Sequence, residues 1–333
     1  MSKPLSRRSL LAGTIASSAL ADVMSRDPRV VRSQSIQPPG KIAFTRSGSI
    51  WVWTAGVASE LLAADNISDP RWNPDGDALL YVRMQNSYSD LYLLDLITNV
   101  ETQLTFNQPV DEIGSLDYAT NSSWVLDPDW ARSGLIAFAS DVVGSGGFLS
   151  LWLMASTAET PYLALQTVLE DDISGVCLAP QESLAAYTVR TRMGDGAFET
   201  YVALRDLNNG STAPVAESNG DIFDSAISPD GAWIAVTIRD GKGVTDIWLV
   251  DRATSERRRG TRNENAMAPR WSDDGKWLAY LRMHDFEFEI WAGQFLSGRI
   301  RDAGKLFDDT GINSQSGLSW WTPVEDSPAT AGA

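Results

Sequence analysis

The run Asp246-Ile247-Trp248-Leu249-Val250 decides the fold, because the chain repeats it. It is a short apolar stretch with an aromatic ring at its centre. Near-copies occur at Ser49-Ile50-Trp51-Val52-Trp53, Asp90-Leu91-Tyr92-Leu93-Leu94, Ser150-Leu151-Trp152-Leu153-Met154, Glu199-Thr200-Tyr201-Val202-Ala203 and Glu289-Ile290-Trp291-Ala292-Gly293. The six aromatics are separated by 41, 60, 49, 47 and 43 residues, the period of a repeat architecture. An apolar–small–aromatic run precedes each copy: Ile42-Ala43-Phe44, Leu79-Leu80-Tyr81, Ile136-Ala137-Phe138, Ala185-Ala186-Tyr187, Ile234-Ala235-Val236 and Leu278-Ala279-Tyr280. Runs this short, bounded by Gly, Pro and Asp, are strands.

A third element is a turn. Arg71-Trp72-Asn73-Pro74-Asp75-Gly76, Ala226-Ile227-Ser228-Pro229-Asp230-Gly231 and Arg270-Trp271-Ser272-Asp273-Asp274-Gly275 share the form strand–turn–Gly. Proline presets φ, aspartate bonds back to the backbone and glycine takes the positive-φ position. Each repeat thus supplies an inner strand, a turn and three further strands, which is the blade of a propeller. The expected fold is all-β: a six-bladed β-propeller with four-stranded blades over residues 41–323. One blade is split. Residues 41–64 supply its outer strands and Gly317-Leu318-Ser319-Trp320-Trp321 its inner strand, so the chain ends close the ring and remove an open edge.

The flanks read differently. Arg7-Arg8 followed by an apolar run to Ala21, with Ala19-Leu20-Ala21 as a small-x-small cleavage site, predicts a signal peptide over residues 1–21. The apolar stretch is too short to span a bilayer. The arginine pair before Leu10-Leu11 resembles a twin-arginine (Tat) export signal, with an ordinary secretory signal as the alternative. Residues 22–40, ending in Pro38-Pro39-Gly40, read as a linker, and residues 324–333 as a disordered tail. Export to the periplasm or outside the cell, within the bacterial envelope, is the expected localisation.

Formal net charge is −16; without residues 1–21, 24 basic and 43 acidic residues remain. Such a surface repels phosphate backbones and anionic lipid. Nucleic acid is not an expected partner. The single cysteine, Cys177, cannot build an internal disulfide framework.

The phrases Pro70-Arg71-Trp72-Asn73-Pro74-Asp75-Gly76, Asp90 to Leu96, Glu101-Thr102-Gln103-Leu104-Thr105 and Ser228-Pro229-Asp230-Gly231 through Asp251 resemble the propeller repeat of the TolB family. The resemblance covers residues 41–323. It implies a propeller found in envelope scaffold proteins, in sensors and as the lid of prolyl-oligopeptidase-like hydrolases. TolB itself carries an α/β domain before its propeller. Only the 19 residues 22–40 stand there in this chain, so a bare propeller is expected.

Catalytic chemistry finds little support in the residues. His284 is the only histidine, no G-x-S-x-G elbow is present, and a lone imidazole in Met283-His284-Asp285 reads as a loop side chain near carboxylates. One His and one Cys cannot build a zinc or iron site. Oxygen ligands for calcium abound, but Asn73-x-Asp75-x-Asp77 places Gly76 where an EF-hand loop does not. Aspartate there reads as a turn-closing residue. No catalytic residue, metal or cofactor is assigned.

Two features point to binding. The second strands end in Arg46, Arg83, Arg190, Arg239 and Arg282, placing five guanidinium groups on one face for an anion or acidic partner. The competing reading pairs them within blades with Asp90, Glu199, Asp246 and Glu289. Tryptophans at the repeat register (Trp51, Trp72, Trp152, Trp248, Trp271, Trp291) read as packing between blades. Trp53, Trp124 and Trp130 fall off that register and are candidates for a ligand surface. Residues 107–130, the longest link between blades, hold two of them. The expected function is a non-enzymatic binding or scaffold module for an envelope or extracellular protein, or for a small anionic or glycan ligand. The alternatives are a carboxylate-based enzyme acting on glycans and a non-catalytic subunit of an exported enzyme complex.

Overall fold

The computed structural model describes residues 36–142, 148–156, 160–165, 171–180, 183–194, 196–215, 221–308 and 311–323. The signal-peptide reading, most of the linker and the tail lie outside them. The described chain forms six sheets of four antiparallel strands. Strands β1 (Lys41–Arg46), β2 (Ser49–Thr54) and β3 (Val57–Leu62) come first. Blade 1 follows as β4 (Ile67–Trp72), β5 (Ala78–Met84), β6 (Ser89–Asp95) and β7 (Val100–Gln103). After the short helix α1 (Leu116–Asn121), blade 2 contains β8 (Val125–Trp130), β9 (Leu135–Ser140), β10 (Ser150–Ala155) and β11 (Tyr162–Leu165). Blade 3 is β12 (Asp171–Leu178), β13 (Leu184–Arg192), β14 (Phe198–Asp206) and β15 (Thr212–Pro214). Blade 4 is β16 (Asp221–Ile227), β17 (Trp233–Arg239), β18 (Thr245–Asp251) and β19 (Arg257–Arg259). Blade 5 is β20 (Ala266–Trp271), β21 (Trp277–His284), β22 (Glu287–Phe295) and β23 (Ile300–Lys305). The last strand, β24 (Ser319–Trp321), pairs with β1, giving the order β24-β1-β2-β3 in the sixth blade. The six-bladed ring closed by both ends of the fold is therefore the one the repeat implies.

Burial falls from the axis outward. The second strands are almost wholly buried, as Ile42 to Thr45, Ala78 to Val82 and Leu278 to Leu281 show. The outer strands β3, β7, β15 and β19 are mostly exposed. The second strands read as continuous apolar runs because both of their faces meet a neighbouring blade. Six apolar clusters fill the six interfaces. One joins Ile42, Phe44 and Trp53 to Ala279, Leu281 and Ile290, and another joins Ala43, Ile50 and Val52 to Leu79 and Tyr81. The split blade is packed on both sides.

The turns carry the chemistry their sequence requires. Gly76, Gly231 and Gly275 have φ of 72°, 69° and 68°, where a Cβ would be strained. Asp230 and Asp274 each close their turn, accepting from the Ala232 and Lys276 N–H groups at 3.0 Å. In the first blade Asn73 takes that role, accepting from Asp77 and Ala78 at 2.9 Å.

Candidate functional site: the central channel and the loop face

The six inner strands share a device that builds the channel. Pairing slips by a residue or more in β4, β8, β12, β16 and β20, leaving a bulge in each. Asp69, Asp127, Gly175, Asp224 and Ala268 sit there with φ between 46° and 59°, and Gly317 occupies the matching place before β24 with φ 62°. Half of this ring is aspartate. The Asp127 carboxylate accepts from the Gly175 N–H at 2.8 Å, and Asp224 from the Ala268 N–H at 3.3 Å, each reaching to the next blade. Asp69 is buried, and its Oδ1 has no hydrogen-bond partner.

Two residues further along, a second layer contains Arg71, Asp129, Cys177, Ala226, Arg270 and Ser319. Asp129 lies 3.5 Å from Arg270 and 3.9 Å from Arg71, so one carboxylate bridges two guanidinium groups on the axis. Its other oxygen accepts from the Leu178 N–H at 2.7 Å. Arg71 donates to the carbonyl of Ser316 at 3.3 Å and Arg270 to that of Leu318 at 2.9 Å. This layer constricts the channel. Above it, on the face where the inner strands begin, a cleft of about 590 Å³ opens between Asp69, Asp127, Asp224, Arg239, Asn313 and Gln315.

Burial governs the protonation of the ring. It pushes Asp69 up to about 7, the nearby Asp127 charge adds to the rise, and Arg71 opposes it. Burial also raises Asp127, against the Gly175 N–H and Arg71, and lifts Asp224 to about 6. The Cys177 thiol is driven up to about 12 by burial and by Asp129, so it is inert at neutral pH. Near pH 7 Asp69 is therefore partly protonated, and a cationic group beside it would favour its ionised form.

The sequence reading assigned none of Asp69, Asp127 or Asp224. For Asp69 and Asp127 the signal is the phrase preceding the inner tryptophan, Ser68-Asp69-Pro70-Arg71-Trp72 and Leu126-Asp127-Pro128-Asp129-Trp130, which Met267-Ala268-Pro269-Arg270-Trp271 repeats with alanine; Asp224, in Phe223-Asp224-Ser225-Ala226-Ile227, lacks it. The residue three before tryptophan is one that tolerates the left-handed region or is forced into it by the bulge.

The five arginines all lie toward the end of the second strand of their blade, on the loop face beside the cleft. They do not share one register. Arg46, Arg83 and Arg282 follow their strand's central aromatic by two residues and stack on Trp51, Tyr92 and Trp291 at 5.1, 5.2 and 4.4 Å. Arg190 and Arg239 follow the corresponding Tyr187 and Val236 by one residue more, which turns them to the other side of the sheet. They stack on Phe198 at 3.8 Å and Phe223 at 5.0 Å, and Arg239 lines the cleft.

Ion pairing also differs from the expected scheme. Arg83 pairs with Glu101 at 2.5 Å, Arg239 with Asp221 at 3.4 Å and Arg282 with Glu264 at 3.9 Å; none uses the acid that begins the next strand. Asp90 and Asp246 instead anchor the connection to the following blade. Asp90 accepts from Thr105 Oγ1 at 2.9 Å and the Asn107 N–H at 2.8 Å, and Asp246 from Thr261 Oγ1 at 2.8 Å and the Asn263 N–H at 3.0 Å. Glu289 holds Lys305 and Trp291 Nε1, both at 2.9 Å.

The tryptophans divide by position. Trp72, Trp152 and Trp271 are buried, while Trp51, Trp248 and Trp291 are half-buried against the clusters. Trp53 has no solvent exposure and belongs to the blade 5–blade 6 core, so it offers no ligand surface. Trp124 and Trp130 are not brought together. Trp124 precedes β8 on the loop face. Trp130 ends β8 at the opposite mouth, at the register of Trp72 and Trp271, half-buried against the blade 1–blade 2 core. His284 is exposed and lies 3.7 Å from Asp285, a loop imidazole beside carboxylates. No helix among the described residues is long and apolar enough to cross a membrane.

Fold and channel define a six-bladed β-propeller. No family model matches the chain, and no curated protein matches it. Among solved structures it is similar to TolB from Acinetobacter baumannii, at 15% identity over 81% of this chain and 67% of that one, with a TM-score of 0.58. A TolB candidate from Agrobacterium tumefaciens aligns at 18% identity over 86% of this chain and 99% of that one, TM-score 0.61. A chain of a nidogen/laminin complex aligns at 10% identity over 84% and 97%, TM-score 0.56. The first two agree with the resemblance carried by the repeat. At these identities the likeness is one of fold.

Proposed function

We propose that this chain is an exported, non-enzymatic binding propeller of the cell envelope, which receives a partner protein on its loop face and at the channel mouth. The observation that carries the reading is the cleft of about 590 Å³ with Asp69, Asp127 and Asp224 at its base and Arg239 on its wall. The Arg71–Asp129–Arg270 constriction beneath makes it a recess, and a recess with convergent polar groups is the usual form of a recognition site. Arg46, Arg83, Arg190, Arg282 and Trp124 surround it as contact residues. Arg83, Arg239 and Arg282 have an acidic side chain within reach, so the face suits a protein offering both charges better than a simple anion. Arg7-Arg8 and the Ala19-Leu20-Ala21 site support export, by the Tat route.

The test is affinity capture from an envelope extract on immobilised residues 22–333, with the Arg190→Glu/Arg239→Glu double variant as control. A protein retained by the native surface and lost on the control supports the reading. A carboxylate-based enzyme is the second reading, favoured by Asp69 and Asp127 as buried acids lining one cleft, where the Asp127 charge adds to the rise of Asp69. Glycan fragments altered in the extract with nothing retained would replace the first reading with it.

A further inference from the structure

The link between β7 and β8, residues 104–124, rises from the loop face with both feet on one dipeptide. Going out, the Asn107 N–H donates to Asp90 and its side-chain amide to the Ser89 carbonyl, both at 2.8 Å. Coming back, the Ser89 N–H donates to the Ser123 carbonyl at 3.2 Å and the Val125 N–H to Ser89 Oγ at 2.7 Å. Within the link, Ser115 caps α1 by accepting from the Tyr118 N–H at 3.0 Å, and Asn121 donates to Asp111 at 2.9 Å. A loop with joined feet and its own internal bonds is an Ω-loop, a form often used for function.

Its outer surface carries large apolar side chains among acids. Phe106, Val110, Ile113 and Leu116 are 77%, 101%, 79% and 81% exposed. A pocket of about 470 Å³ opens at its foot between blades 1 and 2, walled by Leu104, Phe106, Val125, Phe138, Trp152 and Pro161. Phe106 belongs to both features, an exposed side chain of the loop and a wall of the pocket. The only charged residues from 104 to 124 are Asp111, Glu112 and Asp117. Apolar side chains held out in water beside a ready pocket mark a contact surface rather than a packing surface.

We propose that this Ω-loop and its pocket dock a basic, amphipathic segment of a partner protein. One apolar side chain of that segment enters the pocket and its neighbours cover Val110, Ile113 and Leu116, while lysines or arginines answer Asp111, Glu112 and Asp117. Charge selects this occupant. A second copy of the chain carries 43 acidic against 27 basic residues and would set acid against acid, and anionic lipid is repelled in the same way. The proposal rests on the protein-binding reading above and adds a surface to it.

The probe is a short fluorescent peptide of leucine and lysine in amphipathic order, titrated with the full chain. A peptide of the same composition in scrambled order serves as control. The ordered peptide is expected to bind about tenfold or more tightly than the scrambled one. Phe106→Asp and Ile113→Asp, both exposed and expected to leave the thermal melt unchanged, should each weaken it by a similar factor. Equal binding of the two peptides, or full binding to the variants, overturns the proposal and leaves only diffuse attraction to an acidic surface. A dimer in sedimentation that Ile113→Asp dissolves also overturns it, making a second copy the occupant. An envelope protein still captured by the loop variants but lost on reversal of Arg190 and Arg239 would sink this surface alone and leave the binding function standing.

Discussion

Ser319 Oγ accepts a hydrogen bond from the Trp72 backbone N–H at 2.8 Å, joining residues 247 apart in the chain. The bond lies in the second channel layer, where Asp129 does the same for Leu178 one blade on. Side chains thus stitch one inner strand to the next at these junctions, and Ser319 makes the stitch that closes the circle. Nearby, Lys41 lies over Trp72 and Trp321 at 4.5 and 4.7 Å, holding first strand, last strand and first blade together. Closure by three residues of strand therefore depends on the two tryptophans among them, and Trp320 is 3% exposed. Trp320→Ala should cost about 3–5 kcal/mol in urea denaturation. A cost near zero would mean that β24 contributes nothing to the ring.

The buried ring predicts how stability depends on pH. Asp69 titrates near 7 in the folded chain, well above an unfolded aspartate. The folded state binds the proton more tightly, so the contribution of this group is fully present below the unfolded value, near pH 4. It is lost as pH rises through 7. Asp224 acts in the same direction with its midpoint near 6. Asp69→Asn should remove its part of this dependence, roughly 2–4 kcal/mol across pH 4 to 8. Thermal melts of both proteins over that range decide it; parallel curves would show that Asp69 is ionised throughout.

Trp53 and Trp248 offer a comparison between two registers of the third strand. Trp53 ends its run two residues after Trp51 and is wholly enclosed, whereas Trp248 is half-buried with Arg259 over its ring at 5.8 Å. Trp53→Ala should cost about 3–5 kcal/mol and Trp248→Ala less, about 1–3 kcal/mol. Equilibrium unfolding that reversed the order would contradict the packing described here.

The same pair shows where sequence reading succeeds and stops. The ring of blades was legible because the Asp246–Val250 run and its copies repeat, and a repeat registers however weak each copy is. Trp53 was misread because alternation along one strand says which side chains share a face, while both faces of a second- or third-strand residue meet a blade. Trp130 was set apart from Trp72 and Trp271 although Asp-Pro-Asp-Trp and Asp-Pro-Arg-Trp occupy the same place. The acidic ring escaped notice because a bulge changes which residues point to the axis, and pairing register is a property of two strands. The arginines of the second strands were found, but their partners were not: Glu101, Asp221 and Glu264 lie on other strands or on the connections between blades.

Those arginines are expected to be dispensable for folding. Arg239 and Asp221 keep 47% and 41% of their side-chain surface in solvent, and exposed pairs add little. Arg190→Glu/Arg239→Glu should therefore melt within a few degrees of the native protein while losing its partner in capture. An unfolded double variant would make the cation–π contacts with Phe198 and Phe223 structural and withdraw these residues from the site.

Asp90 and Asp246 make the same bonds under loops of very different length, which separates anchoring from stability. Both are buried, with 2% exposure, and each takes a threonine hydroxyl and a backbone N–H from the link to the next blade. Asp246 has Arg259 beside it, which with the N–H donors holds its carboxyl low despite burial. Asp90 has no such cation in its bonding set, and burial raises it. Replacing either by alanine leaves donors unmatched and should cost about 2–3 kcal/mol. Only Asp90→Ala frees a foot of the Ω-loop, so only that variant should gain protease cleavage within residues 104–124, with the rest of the propeller resistant. Cleavage there in the native protein at the same rate would show that the feet do not hold the loop, and the exposed apolar side chains would then belong to a loose chain rather than to a built surface.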